Sequence, residues 1–269
     1  MIYVISDIFG RIDEFHNILK QIELKDTDTL YILGNVVDGD PHGLEILNEI
    51  IDSKNMKLLI GSHEYMMMNV VNRLYGCWPP VCLDGKDATI WAYNGGKETM
   101  KDLTLLPREQ KKKLFDYLNN APYEEIIQID DKKYILSNSA PRSFYKAWLV
   151  KENNPLSGSV YSCDKEFAVW HRLADGEIPS NCTVVHGHTC VWDYDEMKKA
   201  AAYKKMHPTE EPEEDQGEVE DLEEHELLPS IRIKPRDIAV NCGGYNLNGH
   251  KLPGRLACLC LDTMEEFYA

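Results

Sequence analysis

Lysine and arginine are missing from one long stretch of this 269-residue chain: none occurs between positions 207 and 231. The same stretch holds 11 acidic residues, from Glu210 to Glu226. Taking those 11 from the formal charge of −16 leaves five negative units for all the rest. The net negative charge argues against nonspecific binding to nucleic acid or anionic membrane, both of which reward basic surface. Long apolar runs are lacking too; none approaches the roughly 20 residues needed to span a bilayer. The opening "MIYVISD" meets a charge at Asp7, which predicts no signal peptide. No two of the eight cysteines form a CxxC pair, which argues against a zinc ribbon. They read as small core residues of a reducing, cytoplasmic protein. Cys258 and Cys260 alternate along "RLACLCLD" and so share one face of a strand.

What is present is a regular alternation. "MIYVIS", "TLYILG" and "MKLLIGS" are short continuous apolar runs, as expected of strands buried on both faces. Between them, "RIDEFHNILKQI" places Ile12, Phe15, Ile18, Leu19 and Ile22 at helical spacing, and "HGLEILNEIIDS" follows suit. The pattern β-α-β-α-β predicts a layered α/β core. Residues 65 to about 121 read as mostly helical, interrupted by "CWPPVCLDGKD" and "NGGKETM". "EEIIQIDDKKYILSNS" reads as a hairpin turning at "DDKK", "NCTVVHGHT" as a buried strand, and "DIAVNCGG" with "RLACLCLDT" as a final hairpin of a second sheet. Met66, Met67 and Met68 point in different directions around a helix, which favours core packing over a soft-metal face. The acidic 207–228 segment, with Pro208 and few aromatics, predicts a mobile insertion in an otherwise single domain over 1–269. It is either a solvated face or a tail for a basic protein partner.

The polar residues of interest fall just after strand ends, where open α/β sheets bind ligands. They stand in "SDIFG" (6–10), "GNVVDGD" (34–40), "GSHE" (61–64), "ILSNSA" (135–140) and "HGHT" (186–189), with "WHR" at 170–172. In order and spacing these resemble the motifs of the calcineurin-like metallophosphoesterases, in the branch of the PPP-type serine/threonine phosphatases and bacterial dinucleoside tetraphosphatases. The resemblance covers nearly the whole chain. It implies an α/β fold of the α+β variety, with two packed mixed β-sheets flanked by helices in a four-layer sandwich. It also implies a phosphoric ester hydrolase, in which two divalent ions hold the water that attacks phosphorus.

Four of the six metal positions the resemblance implies depart from the family pattern. Phe9 stands where a histidine is expected, Asn35 replaces the bridging aspartate, Ser62 an asparagine and Asn138 a histidine. A phenylalanine has no donor atom, and a neutral amide is a poor bridge between dications. Asp7 and His188 are kept. His63 with Asp38 matches the family's leaving-group acid pair, and Arg172 its phosphate-gripping arginine; the partner arginine is Gly39 here. The expectation is a degenerate phosphatase without a cofactor, binding a phosphorylated small molecule or a phosphoprotein. The alternative is a phosphomonoesterase or nucleotide pyrophosphohydrolase with one Mn, Fe or Zn ion rebuilt on Asp7, His186 and His188. Plainer roles stay open: Asp7 as a helix cap, His63 with Asp38 as a structural pair, the two histidines as satisfied loop residues, and Arg172 as an ion-pair partner of a nearby carboxylate.

Overall fold

A computed structural model describes residues 1–74, 85–151, 161–174, 176–191, 229–244, 246–247, 250–251 and 254–269. The acidic 207–228 segment and most of "CWPPVCLDGKD" lie outside the described residues. Two five-stranded mixed sheets carry the fold. In the first, β1 (Ile2–Ile5), β2 (Thr29–Ile32) and β3 (Met56–Leu58) run parallel, joined by α1 (Ile12–Ile22) and α2 (Gly43–Asp52). Then come α3 (Ser62–Leu74), α4 (Gly85–Trp91), α5 (Lys97–Leu105) and α6 (Arg108–Asn120). The second sheet begins with the hairpin β4 (Glu124–Ile129) and β5 (Lys132–Ser137). Its turn is only Asp130–Asp131, because Lys132 and Lys133 already pair with Ile129 and Gln128. After α7 (Tyr145–Lys151) and α8 (Asp164–Trp170), β6 (Thr183–His186), β7 (Arg232–Lys234) and β8 (Asp237–Ala239) complete the second sheet in the order β4-β5-β6-β8-β7. A small β9 (Asn246–Leu247) and β10 (His250–Lys251) ribbon stands apart.

The last predicted hairpin does not form. β8 joins the second sheet beside β6, whereas β11 (Ala257–Cys260) crosses to the first and pairs antiparallel with β1, with β12 (Glu266–Tyr268) outside it. The physical reason is burial on both faces. Cys258 and Cys260 pack with Tyr3 and Ile5 under the helices, while Ala257 and Leu259 face the second sheet. A strand buried on both sides needs neighbours on both edges, and β1 with β12 supply them.

Alternation along β1 sets the layers. Tyr3 and Ile5 join Phe15, Ile18 and Ile22 of α1 in a helix-side core, and Val4 joins Leu33, Leu136, Val185 and Leu259 between the sheets. Burying a side chain the size of Phe15 or Ile18 contributes on the order of 1.5–3 kcal/mol. Met66, Met67 and Met68 all sit in the helix-side core, as their positions on α3 require. Among the described residues no helix is long and apolar enough to cross a membrane.

Candidate functional site

Loops from β1, β2, β3, β5 and β6 converge at one end of the two sheets. Their backbone is bent in an unusual way. Asp7 (φ 56°), Phe9 (φ 49°), Asn35 (φ 59°), Asp38 (φ 73°) and His188 (φ 57°) all adopt the left-handed conformation. That conformation costs an L-residue roughly 1–2 kcal/mol, and such outliers gather where a site over-determines the chain. The β1 and β2 loops run side by side, with Phe9 and Gly10 donating their amides to Asn35 and Val36 carbonyls. Glu64, fully buried, ties the second loop down by accepting amide hydrogens from Asn35, Val36, Val37 and Gly61.

Asp7 is the hub of the first half of the site. Its carboxylate is buried, and every hydrogen bond it makes is internal. Oδ1 accepts the Asn35 side-chain amide at 2.9 Å, and Oδ2 accepts the Ser6 hydroxyl at 2.6 Å and the His188 amide at 2.8 Å. Burial raises its pKa above the ordinary carboxylate value, and those three bonds pull against the rise. Gly187 makes the approach possible: a Cβ there would lie 1.8 Å from Ser6 Oγ and 2.4 Å from Asp7 Oδ2. Asp7 does not cap α1, which starts without a side-chain cap; its carbonyl instead accepts the Arg11 guanidinium at 2.8 Å.

Asn35, Ser62 and Asn138 finish that network. The Asn35 oxygen accepts the His63 amide at 3.1 Å and the Ser62 hydroxyl at 3.2 Å. Asn138 takes the Ser62 amide on its oxygen at 3.2 Å and gives its own amide to the Leu33 carbonyl at 2.6 Å. Ser62 Oγ is 3.4 Å from His188 Nδ1. Two divalent ions do not fit these residues. The Asn35 amide points hydrogens, not a lone pair, at Asp7, and the buried Phe9 ring offers no donor atom. Among the described residues no group of three or more His, Cys, Asp or Glu could hold a metal ion.

The single-metal set on Asp7, His186 and His188 is not assembled either. His186 Nε2 lies 2.8 Å from Asp237 Oδ1, and its Nδ1 is 3.1 Å from the Gly187 carbonyl, so the ring is engaged with β8. Burial opposes ionisation of Asp237, but its bonds to His186 and Arg232 hold its pKa below the ordinary value. The two histidines are two positions apart, yet β6 ends at His186 and His188 is left-handed. Strand alternation therefore does not carry past the first of them.

The second half of the site is built differently. His63 Nδ1 lies 2.7 Å from Asp38 Oδ2, which also accepts the Trp91 indole N–H at 2.8 Å. Asp38 Oδ1 is buried with no hydrogen-bond partner among the described residues. Phe9 meets the His63 ring edge to face, with centroids 4.7 Å apart. Trp91 reaches Asp38 because Gly96 leaves room for its indole, where a Cβ would be 2.3 Å from Nε1. Arg172 is exposed and forms no ion pair among the described residues, and Trp170 packs edge-on against His188 at 5.7 Å. Burial, then the charge of Arg172, pushes the His188 pKa down to about 3, so this partly exposed ring is neutral at pH 7. Trp91, Glu64 and Asn241, whose amide holds the His188 carbonyl at 3.2 Å, were not singled out by the sequence. Only the glutamate of "GSHE" gave a signal, by its place directly after His63.

Comparison with known proteins bears on the family and the fold. The profile of the calcineurin-like phosphoesterases matches residues 1–224. Symmetrical bis(5'-nucleosyl)-tetraphosphatases of Salmonella paratyphi A and Salmonella enteritidis are 34% identical over 70 residues. That match spans a quarter of this chain and a quarter of each relative. The crystal structure of a candidate diadenosine tetraphosphatase superposes with a TM-score of 0.50 at 14% identity, covering all of this chain and 92% of the other. The chain belongs to the calcineurin-like phosphoesterase family.

Proposed function

We propose that this chain binds a phosphorylated ligand, a small molecule or a phosphoprotein, and does not hydrolyse it by two-metal chemistry. The observation that carries the reading is the Asn35 amide donated to Asp7 Oδ1 at 2.9 Å. To present an oxygen to a cation beside Asp7, Asn35 would have to turn over. It would then give up that bond and the ones from His63 and Ser62, each worth about 1 kcal/mol net and more when its partner stays buried. Arg172 and His63 supply the anion-binding chemistry: a guanidinium for phosphate oxygens and an imidazole able to donate. The curated relatives are named as nucleosyl tetraphosphatases, and phosphate recognition is the part of that chemistry whose side chains survive here. The reading therefore describes a pseudophosphatase. Buried free thiols at Cys182, Cys242, Cys258 and Cys260 suit a reducing, cytoplasmic setting.

The test pairs binding with turnover. Calorimetric titration with pyrophosphate in chelator is expected to give saturable binding, weakened about tenfold or more by Arg172→Ala. Turnover of p-nitrophenyl phosphate and of diadenosine tetraphosphate in Mn2+, Fe2+ or Zn2+ is expected to stay at background. The second reading, a hydrolase with a rebuilt metal site, draws on the intact His63–Asp38 pair. Metal-dependent turnover abolished by His63→Ala would establish it in place of the first.

A further inference from the structure

A separate cavity of about 200 Å3 lies between α7, α8 and the segment that follows α8. Aromatic side chains wall it: Phe144, Trp148, Phe167 and His171. Phe167 stacks on His171 with centroids 4.4 Å apart, and Trp148 lies 5.5 Å from Phe167 and 5.6 Å from His171. Trp148 is only half-buried, so part of its ring remains to be covered. At the edge stands Glu177. Its Oε2 accepts the Ala174 amide at 2.7 Å and lies 3.0 Å from His171 Nε2. Among the described residues no lysine or arginine lines the cavity.

Ring faces carry partial negative charge, and a carboxylate adds a full one, so the cavity selects a cation. It also selects which cation. A primary ammonium needs hydrogen-bond acceptors on several sides, and this wall offers them on one. A methylated ammonium spreads its charge over apolar methyl groups and is content against rings. The volume lies below the 300–1,000 Å3 or so that accommodates a whole drug-sized ligand, which fits a head group instead. We infer that the Trp148–Phe167–Glu177 cavity binds a methylated ammonium group, from either a small choline-like molecule or a methylated lysine side chain. This site stands independently of the phosphate reading above.

Titration of the full chain with choline, followed by calorimetry and by tryptophan fluorescence, tests it. Saturable binding is expected. The neutral carbon isostere, in which a quaternary carbon replaces the nitrogen, is expected to bind at least about tenfold more weakly. Trp148→Leu is expected to abolish choline binding, and Glu177→Gln, which keeps an acceptor for the Ala174 amide, to weaken it several-fold with unchanged circular dichroism. A trimethyl-lysine peptide run in parallel assigns the source: tighter binding than choline places the group on a protein, weaker binding on a small molecule. Equal affinity for the neutral isostere, preferential binding of adenosine, or no choline binding by folded wild-type protein would each overturn the inference.

Discussion

The two halves of the strand-end cluster have met opposite fates. Around Asp7, the side chains of Asn35, Ser62 and Asn138 and the His188 amide form a closed circuit in which donors and acceptors satisfy one another. Around Asp38, the circuit is open: Oδ1 lacks a partner among the described residues, and His63 keeps its short contact to Oδ2. Both halves sit on the same left-handed backbone bends. The same backbone bends thus support two differently satisfied sets of side chains. On the reading proposed above, the neutral hydrogen bonds of Asn35, Ser62 and Asn138 stand where cations would, because buried carboxylates and their neighbours must be satisfied by something.

Restoring charge to the closed half should have the largest effect. Asn35→Asp places a second carboxylate against Asp7, and two unit charges about 4 Å apart repel by about 4 kcal/mol at an effective dielectric near 20. The pair is expected to hold one proton, with a pKa raised above the ordinary value. The native state then binds more protons than the unfolded one, so stability falls as pH rises through that raised value. Denaturant midpoints of the variant should drop between about pH 5 and 8 and recover on adding Mn2+. A midpoint equal to that of wild type across this range would break the comparison.

Gly187→Ala comes next, since its Cβ would overlap Ser6 Oγ and Asp7 Oδ2. A loss of about 3 kcal/mol in chemical denaturation is expected, and a loss under about 1 kcal/mol would mean the loop is looser than described. In the open half, Trp91→Phe removes the N–H on Asp38 while keeping most of the ring. It should cost about 2 kcal/mol and leave the closed half intact, a separation that a double-variant cycle with Gly187→Ala would read as additivity.

At neutral pH the smallest effect is that of His188, which shows itself only in acid. The folded His188 pKa of about 3 lies below the ordinary 6.5, so between those values the unfolded chain binds the extra proton. Stability from this ring is fully present above about pH 6.5 and lost as pH falls toward 3. His188→Asn should flatten the acid limb of a stability–pH curve. An unchanged limb would show that the ring is solvated.

Much of this was legible in the sequence because the site is made of short loops after strands. Asp7, Phe9, Asn35, Asp38, Ser62, His63, Asn138 and His188 each lie within a few residues of the end of an apolar run, and the sheets bring those run ends together. The bonds among Asn35, Ser62 and Asn138 were not legible, since a neutral amide reads as a lost ligand and says nothing of what it now binds. Nor was the place of β11, whose partner β1 lies some 250 positions away and whose two apolar faces suit either sheet. The spacing of His186 and His188, two apart, would imply a shared face only while the strand continues, and β6 stops at His186. Trp91 sits in a helix with no motif around it, and its role depends on the space left at Gly96.

Metal content tests the central claim most directly. Wild-type protein purified without chelator, then incubated with Mn2+, Zn2+ and Fe2+ and desalted, should carry far less than one equivalent of any of them by elemental analysis. Two tightly held equivalents, lost together on Asp7→Ala, would mean that the Asn35–Asp7 hydrogen bond gives way to cations and would contradict the closed circuit described here.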